Sequence, residues 1–417
     1  MDIESRAGSA GSLSAPGASG GVSARALRVL IVIENMSYTY DTRIQKIART
    51  LERAGHRVTV ICPRYPGDPL KSSKGGIAVA FYPIPRLPRG AFGHLLEYAY
   101  SLTAVVLLSS AAFIKIRFDT IHICNPPDIF FAVGGLYRLL GKRFVFDQHD
   151  LCPELSQVRY GKRRWLYRLL LALERWTYRA ADHVLVTSES GKERAIRRGG
   201  VDQARLTLVY NGPDISRMPE TRGTAAPRDI VEVGYVGDMN PQDGVDYLLR
   251  AAGHIRSVHQ RADVRFVLVG DGSAYDALRR TAERLALGDT VEFTGRLTPS
   301  AAMQRLASCD LCVIPDPKNE FTDSCVMVKS LEYMALGKPI VAFELRETRT
   351  ICGDAALYAR ENDFRQLAHE ILKLADDPVL RCRLGQIGRR KIETELAWTF
   401  CERALLRAYE GVSCATR

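Results

Sequence analysis

The chain has 417 residues and a formal net charge of +11, a length that exceeds one hydrophobic core and points to two domains of ordinary size. Its 10 cysteines are scattered from Cys62 to Cys414 without framework spacing, which argues against a disulfide scaffold and a secreted protein and fits a reducing cytoplasm. The positive charge favours anionic partners, but it is dispersed and no basic-aromatic motif accompanies it, so nucleic acid is not expected as a partner.

Residues 1–24 are mostly Gly, Ser and Ala, a composition that cannot offset ordering entropy, and a disordered tail is expected there. The first domain is expected over residues 25–217. Val29 to Ile33 reads as a buried strand, followed by a helix with Ile44, Ile47, Ala48 and Leu51 at i, i+3, i+4, i+7 and a second strand from Val58 to Ile61. Ser101 to Ile114, the most apolar stretch, falls short of the ~20 residues that cross a bilayer; with Glu97 before it and Lys115 after it, a buried helix is expected. Strand patterns return at Thr120 to Cys124, Arg143 to Asp147 and His183 to Thr187, which indicates βαβ units in a parallel sheet.

Arg159 to Arg179 is amphipathic. Trp165, Leu166, Leu169, Leu170, Leu173 and Trp176 share a face expected to pack onto the sheet. Arg164, Arg168, Arg175 and Arg179 line the other side, flanked by Tyr167, Leu171 and Tyr178. That is either a solvated face or one suited to lipid headgroups. A polar linker is expected at residues 218–228, with Pro219, Gly223 and Pro227. Over residues 229–394, strand patterns at Val231 to Val236, Arg265 to Val269, Thr290 to Phe293, Leu311 to Ile314 and Pro339 to Phe343 predict a second parallel sheet. The close pair Cys309 and Cys312 lies in one of these apolar runs, and no second pair completes a zinc site. The fold class is therefore α/β, with two doubly wound, Rossmann-like domains.

In such sheets ligands bind beyond the carboxyl ends of the strands. The first strand ends in Glu34-Asn35-Met36-Ser37 and lacks a Gly-x-Gly-x-x-Gly, which disfavours a dinucleotide site. Gly237 closes one strand of the second half, and Gly270-Asp271-Gly272 closes another; these glycines admit a ligand close to the backbone or simply make turns. Lys329 and Glu332 fall on one face near the start of a predicted helix. A helix N-terminus with a lysine suits a diphosphate, and a carboxylate suits ribose hydroxyls; the same spacing also makes an ordinary surface ion pair.

The helix Lys329-x-x-Glu332-Tyr333-Met334-Ala335-x-Gly337-Lys338-Pro339 resembles the donor-site helix of family 4 glycosyltransferases of the GT-B fold. It most resembles a bacterial envelope and exopolysaccharide branch. Val291-Glu292-Phe293-Thr294-Gly295-Arg296 is similar to the loop that borders the nucleotide base, and Asn211-Gly212-Pro213-Asp214 to the element before the linker. Asp41-x-Arg43 and His149-Asp150-Leu151-x-Pro153-Glu154 are similar to that branch's acceptor-side motifs. The resemblance spans Arg28 to Arg403 and implies two facing domains, with residues 395–417 forming a helix that crosses back to the first.

It further implies a retaining hexosyl transfer from a nucleotide-diphosphate sugar to a lipid-linked or saccharide acceptor, with His149, Lys329 and Glu332 as the central residues. Gly237, Asp238, Gly272, Arg296, Ser324, Cys325 and Val326 would bind the donor, and Asp41, Arg43, Asp150 and Glu154 would face the acceptor. No resident cofactor is implied. With no Asp-x-Asp in the chain, no metal is expected, and the leaving diphosphate would rest on Lys329, backbone amides near Ser324 to Val326, and the helix dipole. Three positions depart from the family. Ser324 stands where most members have a second glutamate, and Asp238 and Asp243 replace the phosphate-binding Arg and Lys. A sugar-nucleotide epimerase, a polysaccharide phosphorylase and a non-catalytic GT-B subunit share the architecture. A peripheral position on the cytoplasmic face of the membrane, held by Arg164, Arg168, Arg175 and Arg179, is expected from the relatives' lipid-linked acceptors.

Overall fold

Runs of β-branched and aromatic residues build the framework of both halves. The computed structural model describes residues 26–69, 71–85, 91–220 and 229–414; the expected tail at 1–24 and all but the first three residues of the expected linker lie outside them. The first half runs β1 (Arg28–Val32), α1 (Thr42–Arg53), β2 (Arg57–Arg64), β3 (Lys71–Lys74), β4 (Ile77–Pro83), α2 (Ala91–Ile116), β5 (Thr120–Cys124), α3 (Phe131–Leu139), β6 (Arg143–Gln148), α4 (Cys152–Tyr160), α5 (Arg164–Ala180), β7 (His183–Val186), α6 (Glu189–Arg197) and β8 (Leu206–Leu208). The strands form one sheet in the order β3-β4-β2-β1-β5-β6-β7-β8, parallel except where β3 meets β4.

The second half runs β9 (Val231–Val236), α7 (Val245–Ser257), β10 (Val264–Val269), α8 (Tyr275–Arg284), β11 (Val291–Gly295), α9 (Pro299–Ser308), β12 (Leu311–Ile314), α10 (Val328–Ala335), β13 (Ile340–Phe343), α11 (Arg346–Cys352), β14 (Ala356–Ala359), α12 (Phe364–Asp376), α13 (Pro378–Lys391) and α14 (Trp398–Cys414). Its sheet is parallel, in the order β11-β10-β9-β12-β13-β14. The strand order reverses between β1 and β5 in one sheet and between β9 and β12 in the other. Such switch points are where loops diverge and leave a crevice.

Each sheet is covered on both faces. On one side of the first sheet, α1 packs Ile44, Ile47 and Leu51 beside Trp398, Leu405 and Tyr409 of α14, so the last helix completes the first domain's core. Each buried aliphatic contributes roughly 1.5–3 kcal/mol. Trp398 seals the junction by donating Nε1–H to Thr50 Oγ1 at 2.9 Å and its backbone N–H to Pro213 O at 2.9 Å. On the other side, α2, α3, α5 and α6 share a core with Leu30, Ile121, Phe144 and Val184.

Two expectations about this second layer are corrected. The apolar run of α2 is not a buried helix: in the window Leu96–Ile116 only 17% of residues are buried. Ser101, Val105 and Ser109 are buried against the domain, and half-buried neighbours such as Leu108 and Phe113 pack on the same core. In α5, the buried residues are Glu174, Thr177 and Tyr178, whereas Trp165, Leu169 and Trp176 are exposed. Polar partners set the rotation of the helix. Tyr178 donates to Gln148 Oε1 at 2.9 Å, and Glu174 accepts two bonds from Arg198. A buried, fully bonded Glu174 outweighs the exposure of two tryptophans, because an unpaired carboxylate in that core costs more.

Candidate active site in the inter-domain cleft

The carboxyl ends of the two sheets enclose a cleft of about 480 Å³, a size suited to a small ligand. The first domain supplies Asn35, Asp41, Arg43, His149 and Asp150, and the second Asp238, Asp243, Asp316, Cys325 and Val326. These residues follow β1, β6, β9 and β12, beside the two switch points, with Arg43 in the first turn of α1.

On the first-domain side the organising group is Asp147, the penultimate residue of β6, which sequence reading treated only as a strand end. It is fully buried. Arg43 donates Nε–H and Nη2–H to its two oxygens at 3.0 and 2.7 Å. Burial opposes ionisation of Asp147, but the Arg43 guanidinium, helped by hydrogen bonds from His122 and His149, outweighs it and holds the carboxyl well below the usual range. His149 Nε2 lies 3.0 Å from Asp147 Oδ2. An ionised Asp147 makes Nε2 the proton-bearing nitrogen and leaves Nδ1 as an acceptor in the neutral ring. His149 is thus oriented by Asp147 rather than by Asp150, its neighbour in the sequence. Asn125 Oδ1 accepts the backbone N–H of both His149 and Asp150, at 2.7 and 3.2 Å. His122 lies 3.4 Å from Asp147 and 2.8 Å from the Tyr409 hydroxyl of α14, linking the crossing helix to the cleft histidine.

His122, Cys124 and Asp147 place ligand atoms within 4.8 Å of one another. Arg43 already bonds both carboxylate oxygens and burial pushes the Cys124 thiol up, so a cation there would have to compete with the Arg43 guanidinium. The acceptor-side expectations divide. Asp41 lines the cleft, and one oxygen caps α1 by accepting from Ile44 N at 2.9 Å. Arg43 also borders the cleft, but its guanidinium is committed to Asp147 and Val209 O. Glu154 does not line it. It is buried under α5, where Arg198 donates to it at 2.6 Å, so it builds the α4–α5 support instead of meeting an acceptor.

On the second-domain side, Val236 N donates to the Tyr333 hydroxyl at 2.8 Å and so fixes α10 against the end of β9. Lys329, in the first turn of α10, donates Nζ–H to Asp316 at 2.8 Å and lies 4.9 Å from the Tyr235 ring centroid. Burial disfavours its charge, yet Asp316, Tyr235 and Asp243 raise its pKa. Its ion partner is thus Asp316, not Glu332. Asp243, pushed up to about 6 by burial, caps its own turn by accepting from Asn240 N at 2.8 Å. Glu332, pushed up to about 7 by burial, feels the opposing charges of Lys46 and Lys329.

Lys46, on α1, escaped sequence reading. It donates to Asn211 Oδ1 at 2.5 Å and to Gly212 O at 2.7 Å, which gives the Asn-Gly element a physical role. Burial, then Arg43, lowers its pKa to about 8.

The remaining donor-side expectations also divide. The Ser324 and Cys325 amides already donate to Phe321 O and Thr322 O, so they do not serve a diphosphate as expected. Cys325, Val326, Met327 and Val328 do line the cleft. They lead into α10, whose start has no side-chain cap, and the first-turn N–H groups of such a helix lack intrahelical partners. Ser324 instead joins the domains, its carbonyl accepting from Ser188 Oγ at 2.9 Å. A Cβ on Gly272 would sit 2.5 Å from Met239 O, so this glycine admits a neighbouring loop rather than a ligand. At Gly237 a Cβ would approach the Tyr235 hydroxyl to 2.9 Å and Lys329 Cε to 3.5 Å; its absence keeps the space over Lys329 open. Asp238 lines the cleft, and Arg296 reaches it at 3.5 Å from outside the lining.

Two family models match the two halves: Glycosyltransferase Family 4 over residues 41–217 and Glycosyl transferases group 1 over residues 231–377. The chain belongs to glycosyltransferase family 4. This family 4 chain is 24% identical over 248 residues to a glycogen synthase of Mycobacterium tuberculosis, a match covering 58% of each. It is 24% identical to the 2-deoxystreptamine N-acetyl-D-glucosaminyltransferase of Streptomyces fradiae, covering 75% of this chain and 76% of that one. Its fold is that of sucrose-phosphate synthase from Thermosynechococcus elongatus, with a TM-score of 0.78, 19% identity and coverage of 94% and 100%. The two facing Rossmann-like domains are thus those of the GT-B fold.

Proposed function

We propose that this chain is a retaining, metal-independent hexosyltransferase that moves a sugar from a nucleotide-diphosphate donor to a saccharide or lipid-linked acceptor in envelope or exopolysaccharide synthesis. The observation that carries the reading is the opposition, across one cleft, of the uncapped start of α10, whose Val328 lines the cleft with Lys329 behind it on the lining residue Asp316, and a histidine oriented by a buried carboxylate. The first turn of α10 and Lys329 stabilise the leaving diphosphate, and Glu332 accepts the ribose hydroxyls. His149 orients the sugar or the acceptor hydroxyl, whose proton passes to the leaving phosphate on the same face. The donor's charge draws Lys329 partly away from Asp316, and that exchange is part of the binding cost.

The test is a thermal-shift series with nucleoside diphosphates and their sugars, followed by product analysis in chelator. A diphosphate at 100 times its dissociation constant adds about 2.7 kcal/mol to the native state. Transfer should continue in EDTA with the anomeric configuration kept. No stabilisation by any nucleotide removes the donor site, and activity that returns only with manganese or magnesium overturns the metal-free account. Under the same proposal the enzyme works on the cytoplasmic face of the membrane, supported by the outward position of Arg164, Arg168, Arg175 and Arg179.

A further inference from the structure

The outer surface of the first domain is apolar where a solvated helix layer should be polar. Of the eighteen large hydrophobic residues exposed among the described residues, ten lie on three helices: four on α2, three at α3 and its end, and three on α5. Leu139 is 86% exposed, Ile114 75%, Leu107 66% and Trp165 65%. The helices are neighbours. Phe113 of α2 packs on Tyr137 of α3 with ring centroids 5.5 Å apart, and Phe131 of α3 on Trp176 of α5 at 5.7 Å. They cover the same face of the same sheet, so their outward sides form one surface. Along α2 no charged residue occurs between Glu97 and Lys115.

We infer that the outer faces of α2, α3 and α5 form one platform that docks on an anionic lipid bilayer, with exposed side chains such as Leu107, Leu139 and Trp165 entering the headgroup boundary and the basic residues around them meeting lipid phosphates. Charge selects this occupant. From Tyr98 to Ala180 every exposed charged residue is lysine or arginine, including Lys115, Arg117, Lys162 and Arg163. A second copy of the chain would set this cationic surface against itself, because a two-fold interface pairs a patch with its own image. Tryptophan and arginine alternating with leucine on one exposed helix face is the composition of an interfacial helix. α2 lies flat in this arrangement, because Ser101, Val105 and Ser109 hold it against the domain.

The platform also adjoins the cleft. Arg159 at the end of α4 lines the cleft, and the chain enters α5 five residues later. Tyr98 of α2 lies close enough to Arg159 to feel its charge. A lipid-borne acceptor would therefore meet the cleft on its first-domain side.

This inference rests on the membrane reading given above, and the experiment separates the two. Flotation of the full chain is measured with vesicles of phosphatidylglycerol and phosphatidylcholine and with vesicles of phosphatidylcholine alone. The protein should bind the anionic vesicles, with a fraction that survives high salt because it is held by apolar contact. The triple variant Leu107→Gln, Leu139→Gln, Trp165→Gln should bind at least about tenfold more weakly and lose the salt-resistant fraction, while keeping its melting temperature and nucleotide affinity. Changing Arg164, Arg168, Arg175 and Arg179 to glutamate should abolish binding at low salt. If the triple variant binds like the wild type and only the arginine variant is released, the platform is overturned and the membrane reading stands. If the wild type binds neither vesicle, both fall. A wild-type dimer in solution that the triple variant dissolves, without vesicle binding, assigns the face to a second copy.

Discussion

Lys329 sits beside Asp316 and within reach of the Asp243 charge, so its substitution has two effects that must be separated. Lys329→Met should lower turnover at least tenfold, about 1.4 kcal/mol of transition-state stabilisation, and it should also lower the melting temperature, because Asp316 is left buried without its cation. Adding Asp316→Asn should restore stability and leave turnover low; recovery of both would remove Lys329 from the chemistry. Glu332→Ala should cost at least about tenfold as well. Burial pushes Glu332 up to about 7, and its carboxylate form is the one that accepts hydroxyls, so donor affinity should fall as pH drops through that value; a pH-independent affinity would contradict this role. Glu34 gives a pure stability test. Burial pushes it up to about 7 while Ser101 donates to it at 3.0 Å. A raised carboxyl pKa means that its stabilising share is full below the unfolded value and is lost as pH rises through 7. Glu34→Gln should therefore stabilise the protein at about pH 8, by up to about 3 kcal/mol, and change little at about pH 4, a difference that melting temperatures at the two pH values would read. Of the residues that line the cleft, the sequence pointed to those whose neighbours form a motif, such as His149, Asp41 and Cys325. Asp147, Asp316 and Lys46 escaped because their roles arise only when separate strands and helices converge.

Elements were legible where hydrophobic periodicity was strong and one-sided. The alternation of apolar runs and 3.6-residue patterns was enough to assign two parallel sheets, whereas β3, β4, β8 and β14 passed unnoticed, being short or only half-buried. The outer helix layer defeated the wheel for a different reason. A wheel ranks faces by apolarity, but α5 was rotated by the hydrogen bonds of Glu174 and Tyr178. Gly212 shows the same principle in a loop. A Cβ there would lie 2.1 Å from Leu396 O and 2.9 Å from the Ala397 carbonyl carbon, so only glycine lets the approach to α14 dock beside the Lys46 site. Gly212→Ala should destabilise the protein by about 1–3 kcal/mol, as overpacking against backbone does. A wild-type melting temperature in this variant would show that the segment before α14 is free to move.

At the scale of the whole molecule, the two domains touch through a small set of bonds: Ser188 to Ser324, Ser190 N to Glu347 at 2.7 Å, and Arg346 to Glu193 at 2.6 Å. Glu347 is fully buried, so Glu347→Ala should loosen the hinge, raise the radius of gyration of the ligand-free protein in solution scattering, and leave a nucleotide sugar able to compact it again. An unchanged scattering curve would mean that this contact does not hold the domains. The crossing helix has a consequence of another kind, for the order in which the protein is made. Val29, Ile31 and Ile47 belong to a core that is finished by Trp398, Leu405 and Tyr409, and the buried His122 reaches its hydroxyl partner only through Tyr409. During synthesis the first domain therefore emerges with one face of its sheet unfinished and waits, through the whole of the second domain, for the helix that closes it. Until then that apolar surface is open to chaperones and to aggregation, and the part of the chain translated first is the part that finishes folding last.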